Sequence, residues 1–323
     1  MAYLDLIRQR VGHQRIFLVF AGACVRDDHD RVLWQRRADF GWWGLPGGIL
    51  ELDESLPQCV VREVREETGL QAEPIRLVGV YSSPSFDVTY PNGDEVQQVT
   101  ACYECRIVGE LPEVLGPPAV DAAETLELGW LPAGVLPTTA PWYEAMANDL
   151  VLNLPTPSFQ RGAAGGHRGG QTFLSAIRER AGRSPVIMPA AAGLVLDEAE
   201  RVLLVRRTEG DSWSLPGGAM ELGERIDRTA VNQIAVQAGL DVEPVQLVGV
   251  YSASHSCASN FRGNLVRPVT ALFICRILGG ELRSDAVEVT GARFFPLGAL
   301  PPLETDQLDQ LRDGLAARKR AID

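Results

Sequence analysis

One constant spacing governs this chain: positions 170 residues apart match along most of its length. Leu4 and Ile7 recur as Leu174 and Ile177, and Arg31-Val32-Leu33 as Arg201-Val202-Leu203. Leu45-Pro46-Gly47-Gly48 recurs as Leu215-Pro216-Gly217-Gly218, Leu77 to Ser82 as Leu247 to Ser252, and Cys105-Arg106-Ile107 as Cys275-Arg276-Ile277. An unbroken offset over such a span is a domain duplication, not a short-period solenoid. A length of 323 residues fits two domains of ordinary size, and 46% hydrophobic residues can fill two cores. Between the copies, Pro155 to Gln171 reads PTPSFQRGAAGGHRGGQ, whose glycines and missing apolar period indicate a flexible linker. The expected domains are therefore 1–153 and 172–323, joined by a linker over 154–171.

Charge and cysteine usage narrow the function classes. A formal charge of −12 disfavours double-stranded nucleic acid as a main partner, because that binding needs clustered Lys and Arg. A small anionic ligand carried on a metal is compatible with it. Lys319 is the only lysine, a skew that suggests a GC-rich coding genome and a bacterial source. The six cysteines, at 24, 59, 102, 105, 257 and 275, show no disulfide spacing. Cys102 and Cys105 would face opposite sides of a strand. Reduced core thiols in a cytoplasmic protein are expected. Residues 1–12 have the spacing of an amphipathic helix rather than a secretory signal, and no apolar run is long enough to span a membrane.

The first copy predicts a helix over 3–10, strands over 16–26 and 30–37, a helix over 56–68, strands over 75–83, 96–108 and 125–131, and a helix over 141–151. Ser55 and Gln58 form a capping box, and Gly69 suits the left-handed position that ends the middle helix. Strands adjacent in sequence argue for a mixed sheet with helices on both faces.

That middle helix carries the chemistry. Glu63, Glu66 and Glu67 are spaced i, i+3, i+4 and share one face. Three adjacent carboxylates repel one another unless a hard divalent cation neutralises them, and all-oxygen ligation favours Mg²⁺ or Mn²⁺ over zinc. In the second copy the same positions read Gln233, Val236 and Gln237, and Arg62 becomes Asn232. Neutral amides bind magnesium weakly and valine does not bind it, so a divalent cation is not expected to be held there. Glu224, the Gly217-Gly218 turn and Glu288, six before Phe294 as Glu124 is before Trp130, remain.

The run from Gly48 through Glu54 to Arg62-Glu63-Val64-Arg65-Glu66-Glu67-Thr68-Gly69-Leu70 resembles the Nudix box of the Nudix hydrolase superfamily at every fixed position. The resemblance implies an α/β fold, two tandem α/β/α sandwiches each with a mixed central sheet, the second carrying a degenerate box. It implies attack of water on a phosphorus of a diphosphate linkage, with Mg²⁺ or Mn²⁺. Glu63, Glu66 and Glu67 become the expected metal ligands with the Gly48 carbonyl; Glu63 could instead be the base. Arg62 should orient the carboxylates and Glu54 brace the loop. Glu124 is the expected further acid outside the box, ahead of Glu95 and Glu104. Arg36 and Arg37 are candidates for the diphosphate, only one of them able to face the site. Trp43, with Trp42 beside it, is a candidate to stack on a base or to sit in the core or rim. The turn Tyr90 to Asp94 is a candidate pocket border.

The expected substrate is a nucleoside triphosphate, ADP-ribose, a nucleotide sugar or a similar nucleoside diphosphate derivative. The competing class is a non-enzymatic sensor of a nucleotide metabolite. For the second domain three roles stand: replacing a homodimer partner, sensing a ligand, or lending loops to the first site. A monomer with internal pseudo-twofold symmetry or a homodimer is expected.

Overall fold

The computed structural model describes residues 2–109, 124–160, 185–208, 212–252, 258–259, 265–283 and 289–320. They form two compact units, the first ending at Gln160.

In the first unit, α1 (Tyr3–Val11) leads into β1 (Ile16–Arg26), which is buried at every position except Phe20 and Arg26. A strand apolar on both faces belongs in the middle of a sheet covered on both sides. Accordingly β1 runs parallel to β7 (Glu95–Ile107), in register from Ile16↔Val96 to Arg26↔Arg106, and antiparallel to β4 (Gly47–Ile49). Beyond β7 lie β5 (Ala72–Tyr81), antiparallel, and β6 (Val88–Thr89) at its start. A hairpin carries the chain from β1 into β2 (Arg31–Arg37), which pairs antiparallel with β3 (Trp43–Gly44) and β8 (Thr125–Pro132).

Helix α2 (Leu56–Thr68) lies against β1, β4 and β5. Its expected ends are both formed. The Ser55 N–H donates to Gln58 Oε1 at 2.8 Å, the Gln58 N–H to Ser55 Oγ at 3.4 Å, and Gly69 closes the helix at φ 74°. Helix α3 (Pro141–Leu152) packs on β5 and β1, its Met146 sulfur against Gly22.

One expectation is corrected. Residues 155–160 do not begin a flexible linker. β9 (Ser158–Phe159) adds to β5 in parallel, and Gln160 Oε1 accepts the Ser82 and Ser83 N–H groups at 3.1 and 2.7 Å. Composition alone could not show that two residues of this stretch complete a sheet edge. The rest of the linker, the Leu174 and Ile177 region, Cys257 and Glu288 lie outside the described residues.

The second unit repeats the plan. β10 (Val186–Val195) runs parallel to β16 (Leu265–Gly280) and antiparallel to β13 (Gly217–Ala219), and β14 (Leu240–Tyr251) and β15 (Ala258–Ser259) pair with β16. β11 (Arg201–Arg207), β12 (Trp213–Ser214) and β17 (Val289–Pro296) form the antiparallel group. Ala191↔Gly218 repeats Ala21↔Gly48 at the same offset. A Cβ on Gly193 would meet Ile234 of α4 (Ile226–Ala238), and one on Gly314 of α5 (Thr305–Arg320) would meet Leu194. Adjacent strand residues point to opposite faces, so the two helices sandwich the sheet. Among the described residues no helix is long and apolar enough to cross a membrane. Cys24, Cys59, Cys102, Cys105 and Cys275 are buried free thiols.

Candidate active site

The last turns of α2 deliver Arg62, Glu63, Glu66 and Glu67 beneath the Gly47-Gly48 turn. Arg62 grips Glu54 with two hydrogen bonds (Nε–Oε2 2.9 Å, Nη2–Oε1 2.6 Å) and donates to Glu63 (2.7 Å) and Glu66 (3.0 Å). Its Nη2 also reaches the Ile49 carbonyl at 3.1 Å, and Glu54 Oε1 accepts the Glu51 N–H at 3.0 Å. One guanidinium thus ties the loop before the helix to two of its acids.

Glu67 is held differently. Its Oε2 accepts the Gly47 N–H at 2.7 Å and its Oε1 accepts Gln35 Nε2 at 2.8 Å. Burial, then the Glu63 charge, pushes the Glu67 carboxyl up to about 8, against those two hydrogen bonds. Burial likewise lifts Glu63 to about 7; Arg62 opposes it, and Glu66 and Glu124 add repulsion. Gly47 must be glycine for steric reasons, since at φ 146° a Cβ would lie 2.3 Å from the Ala21 carbonyl oxygen, and a Cβ on Gly48, 2.3 Å from Glu63 Oε1, would displace that carboxylate.

These groups line a cavity of about 650 Å³. Gly48, Glu63, Glu66, Glu67 and Glu124 contribute its acidic lining, and Phe40, Trp42, Tyr90, Trp142 and Tyr143 its aromatic lining. Phe40 stacks on Trp42 with centroids 4.6 Å apart, and Trp142 meets the Trp42 edge at 6.2 Å. The Trp42 indole Nε1 is buried without a hydrogen-bond partner.

The NUDIX domain family model matches residues 17–150 and again 186–314, which is most of the chain and both units. The chain belongs to the Nudix hydrolase family. A MutT-like protein of Streptomyces ambofaciens is 56% identical over 63 residues, 20% of this chain and 40% of that protein, so the match spans less than half of that relative's length. An ADP-ribose pyrophosphatase of Methanocaldococcus jannaschii is 32% identical over 124 residues, 37% of this chain and 68% of that protein. A solved ADP-ribose pyrophosphatase from Streptococcus suis is 29% identical, covers 41% of this chain and 92% of its own, and has a TM-score of 0.35.

Within this Nudix chain the structure brings together Gly48, Arg62, Glu63, Glu66, Glu67, Glu124 and Arg37 on one cavity, and Tyr90 borders it. Two expected residues stand elsewhere. Arg36 turns outward toward the Gly41 carbonyl (3.3 Å) and Glu127, because strand alternation gives the inner face to Gln35 and Arg37. Arg37 is fixed by a two-bond contact with Asp39 (3.0 and 2.7 Å). Trp43 lies in the β2–β3 ladder with its ring against Gly129, so it packs in the core while Trp42 lines the cavity. Glu104 is paired with Arg76 at 2.6 Å, a structural contact. Gln35 and Thr125 went unread in the sequence; a glutamine and a threonine on strands carry no motif.

Among the described residues no three Asp, Glu, His or Cys side chains are grouped as a finished cation cage. Arg62 draws Glu63 and Glu66 toward itself, and Glu67 is engaged on both oxygens. The donor chemistry nevertheless suits a hard divalent cation: carboxylates on one wall, two of them buried and mutually repelling.

The degenerate box of the second unit keeps the geometry and changes the chemistry. Gln237 Oε1 accepts the Gly217 N–H at 3.0 Å, as Glu67 does from Gly47, and its Nε2 donates to the Gly217 carbonyl and to Gln233 Oε1 at 3.0 and 3.1 Å. Asn232 holds Glu224 at 2.7 Å in place of the Arg62–Glu54 pair. Val236, where Glu66 would stand, is exposed.

Proposed function

We propose that the first unit hydrolyses the diphosphate bridge of a nucleoside diphosphate derivative, using Mg²⁺ or Mn²⁺, and that the second unit does not. The observation that carries this is one cavity lined both by the acids and Gly48 and by flat aromatic rings, in a volume that suits a nucleotide. Glu63, Glu66, Glu67 and the Gly48 carbonyl would hold the cation. When bound, it would offset phosphate charge and lower the pKa of the attacking water.

The chain's own residues supply the rest. Arg62 holds Glu63 and Glu66 at fixed angles, so little reorganisation is needed once phosphate arrives. If Glu66, Glu67 and the Gly48 carbonyl suffice for the cation, Glu63, buried on the same cavity, is instead placed to take the proton of the attacking water. Glu124, on the same cavity, is the second candidate for that proton. Arg37 lines the same cavity and can bind a phosphate oxygen. Phe40, Trp42, Tyr90 and Trp142 offer a planar ring its stacking surface, and the unpaired Trp42 N–H a donor. Relatives named ADP-ribose pyrophosphatase make ADP-ribose the first substrate to try.

The test is incubation of the full chain with Mg²⁺ and a panel of ADP-ribose, nucleotide sugars and nucleoside triphosphates, with products identified. Hydrolysis by wild type and by Gln237→Ala, lost in Glu67→Gln, is the expected pattern. Activity surviving Glu67→Gln would overturn the assignment. Failure on every compound of the panel would favour the sensor class.

A further inference from the structure

We propose that Gln35 and Thr125 are positioning residues for the first unit's site: a buried Thr125–Gln35–Glu67 relay fixes the aim of the Glu67 carboxylate toward the cation. The inference rests on the metal-dependent reading above.

The relay is drawn from three elements. Thr125 Oγ1, at the start of β8, donates to Gln35 Oε1 at 2.8 Å; Gln35 Nε2, on β2, donates to Glu67 Oε1 at 2.8 Å, on α2. The exposures are 2%, 1% and 5%, which leaves little room for water to replace a partner. The polarity follows once Glu67 is ionised, as holding a cation requires: an ionised carboxylate only accepts, so Gln35 turns its NH₂ to it, and its carbonyl oxygen then needs a donor. Thr125 provides one, and it follows the cavity acid Glu124 directly.

The second copy is an internal control. Arg37↔Thr125 in the β2–β8 ladder matches Arg207↔Val289 in the β11–β17 ladder, and Gln35↔Leu128 matches Val205↔Ala292. Thr125 and Gln35 therefore correspond to Val289 and Val205, both buried. The link from residue 67 or 237 to the glycine turn survives in both copies, so it belongs to the fold. The relay is present only in the copy that has the carboxylates. Val205 and Val289 fill the same places without it, so packing alone does not require the two polar side chains.

The probe is Mn²⁺ alone, titrated into the full chain with free ion followed by electron paramagnetic resonance. Thr125→Val is expected to weaken Mn²⁺ binding about tenfold, the lower range for loss of a partner behind a metal ligand. Gln35→Val, the second copy's residue, should do the same, and Thr125→Ser should bind as wild type. In a Glu67→Gln background Thr125→Val should add no further loss. Wild-type affinity in Thr125→Val, or equal weakening by Thr125→Ser, would overturn the relay while leaving the cation assignment intact. Wild-type affinity in Glu67→Gln alone would overturn the cation assignment, and the relay with it.

Discussion

Glu67 gathers the most physical consequence into one side chain. It is buried, its charge is opposed by Glu63, and two donors hold its oxygens. Glu67→Gln should cut turnover by ~10²- to 10⁴-fold, the range for a lost catalytic carboxylate. The melting temperature should stay close to wild type, because Gln237 shows an amide seated against the same turn. Kinetics paired with circular dichroism melting checks both halves. Gly48→Ala should be as damaging by a different route, since its methyl would strike the Glu63 carboxylate; loss of activity with a changed Mn²⁺ affinity is the expected signature. At this scale the sequence was legible where chemistry and spacing coincide. Glu63, Glu66, Glu67 and Arg62 could be read because acids at helical spacing have few other uses. Trp43 was preferred to Trp42, and Arg36 could not be told from Arg37, because adjacent strand residues differ only in which face is inside. Gln35 and Thr125 are silent alone; their signal is the matching pair of valines 170 and 164 positions on.

The elements argue through their ends. Helix α2 was readable to the residue because a capping box and a left-handed glycine are both local. Ser55→Ala should cost about 1 kcal/mol, read as a shift of the denaturation midpoint. The β1–β2 turn is built twice. Asp27 Oδ1 accepts the Arg31 N–H at 2.8 Å and Oδ2 accepts Arg31 Nε at 2.7 Å; Asp197 and Arg201 repeat both distances. Burial pushes each carboxyl up, but these hydrogen bonds outweigh it and hold both below the usual carboxylate range. Each turn therefore adds stability that is present above about pH 4 and lost as pH falls through the depressed value. Asp27→Asn should lower the melting temperature at pH 7, with the gap to wild type closing below about pH 4. A gap independent of pH would contradict the turn's electrostatic origin. The β9 strand escaped the sequence because two residues of sheet edge sit inside a stretch whose composition reads as a linker.

For the whole molecule, duplication was the strongest signal, since two copies at one offset must repeat one fold. The ladders bear this out at Ala21↔Gly48 and Ala191↔Gly218. Saturating Mg²⁺ should stabilise one cooperative unit only, by about 2.7 kcal/mol at a hundredfold excess over its dissociation constant. Calorimetry should show that gain abolished by Glu67→Gln and unaffected by Gln237→Ala. Equal stabilisation of both units would count against a single competent site.

The amide of Gln237 meets both the N–H and the carbonyl of Gly217. An acid restored there would set a second oxygen against that carbonyl, where the NH₂ now donates. Neighbours such as Gln233 would have to change with it, so single-step reversion runs uphill. Gln237→Glu alone would therefore not recreate the Glu67 arrangement: the amide has become a fitted part of this half's frame, held in place by the contacts around it.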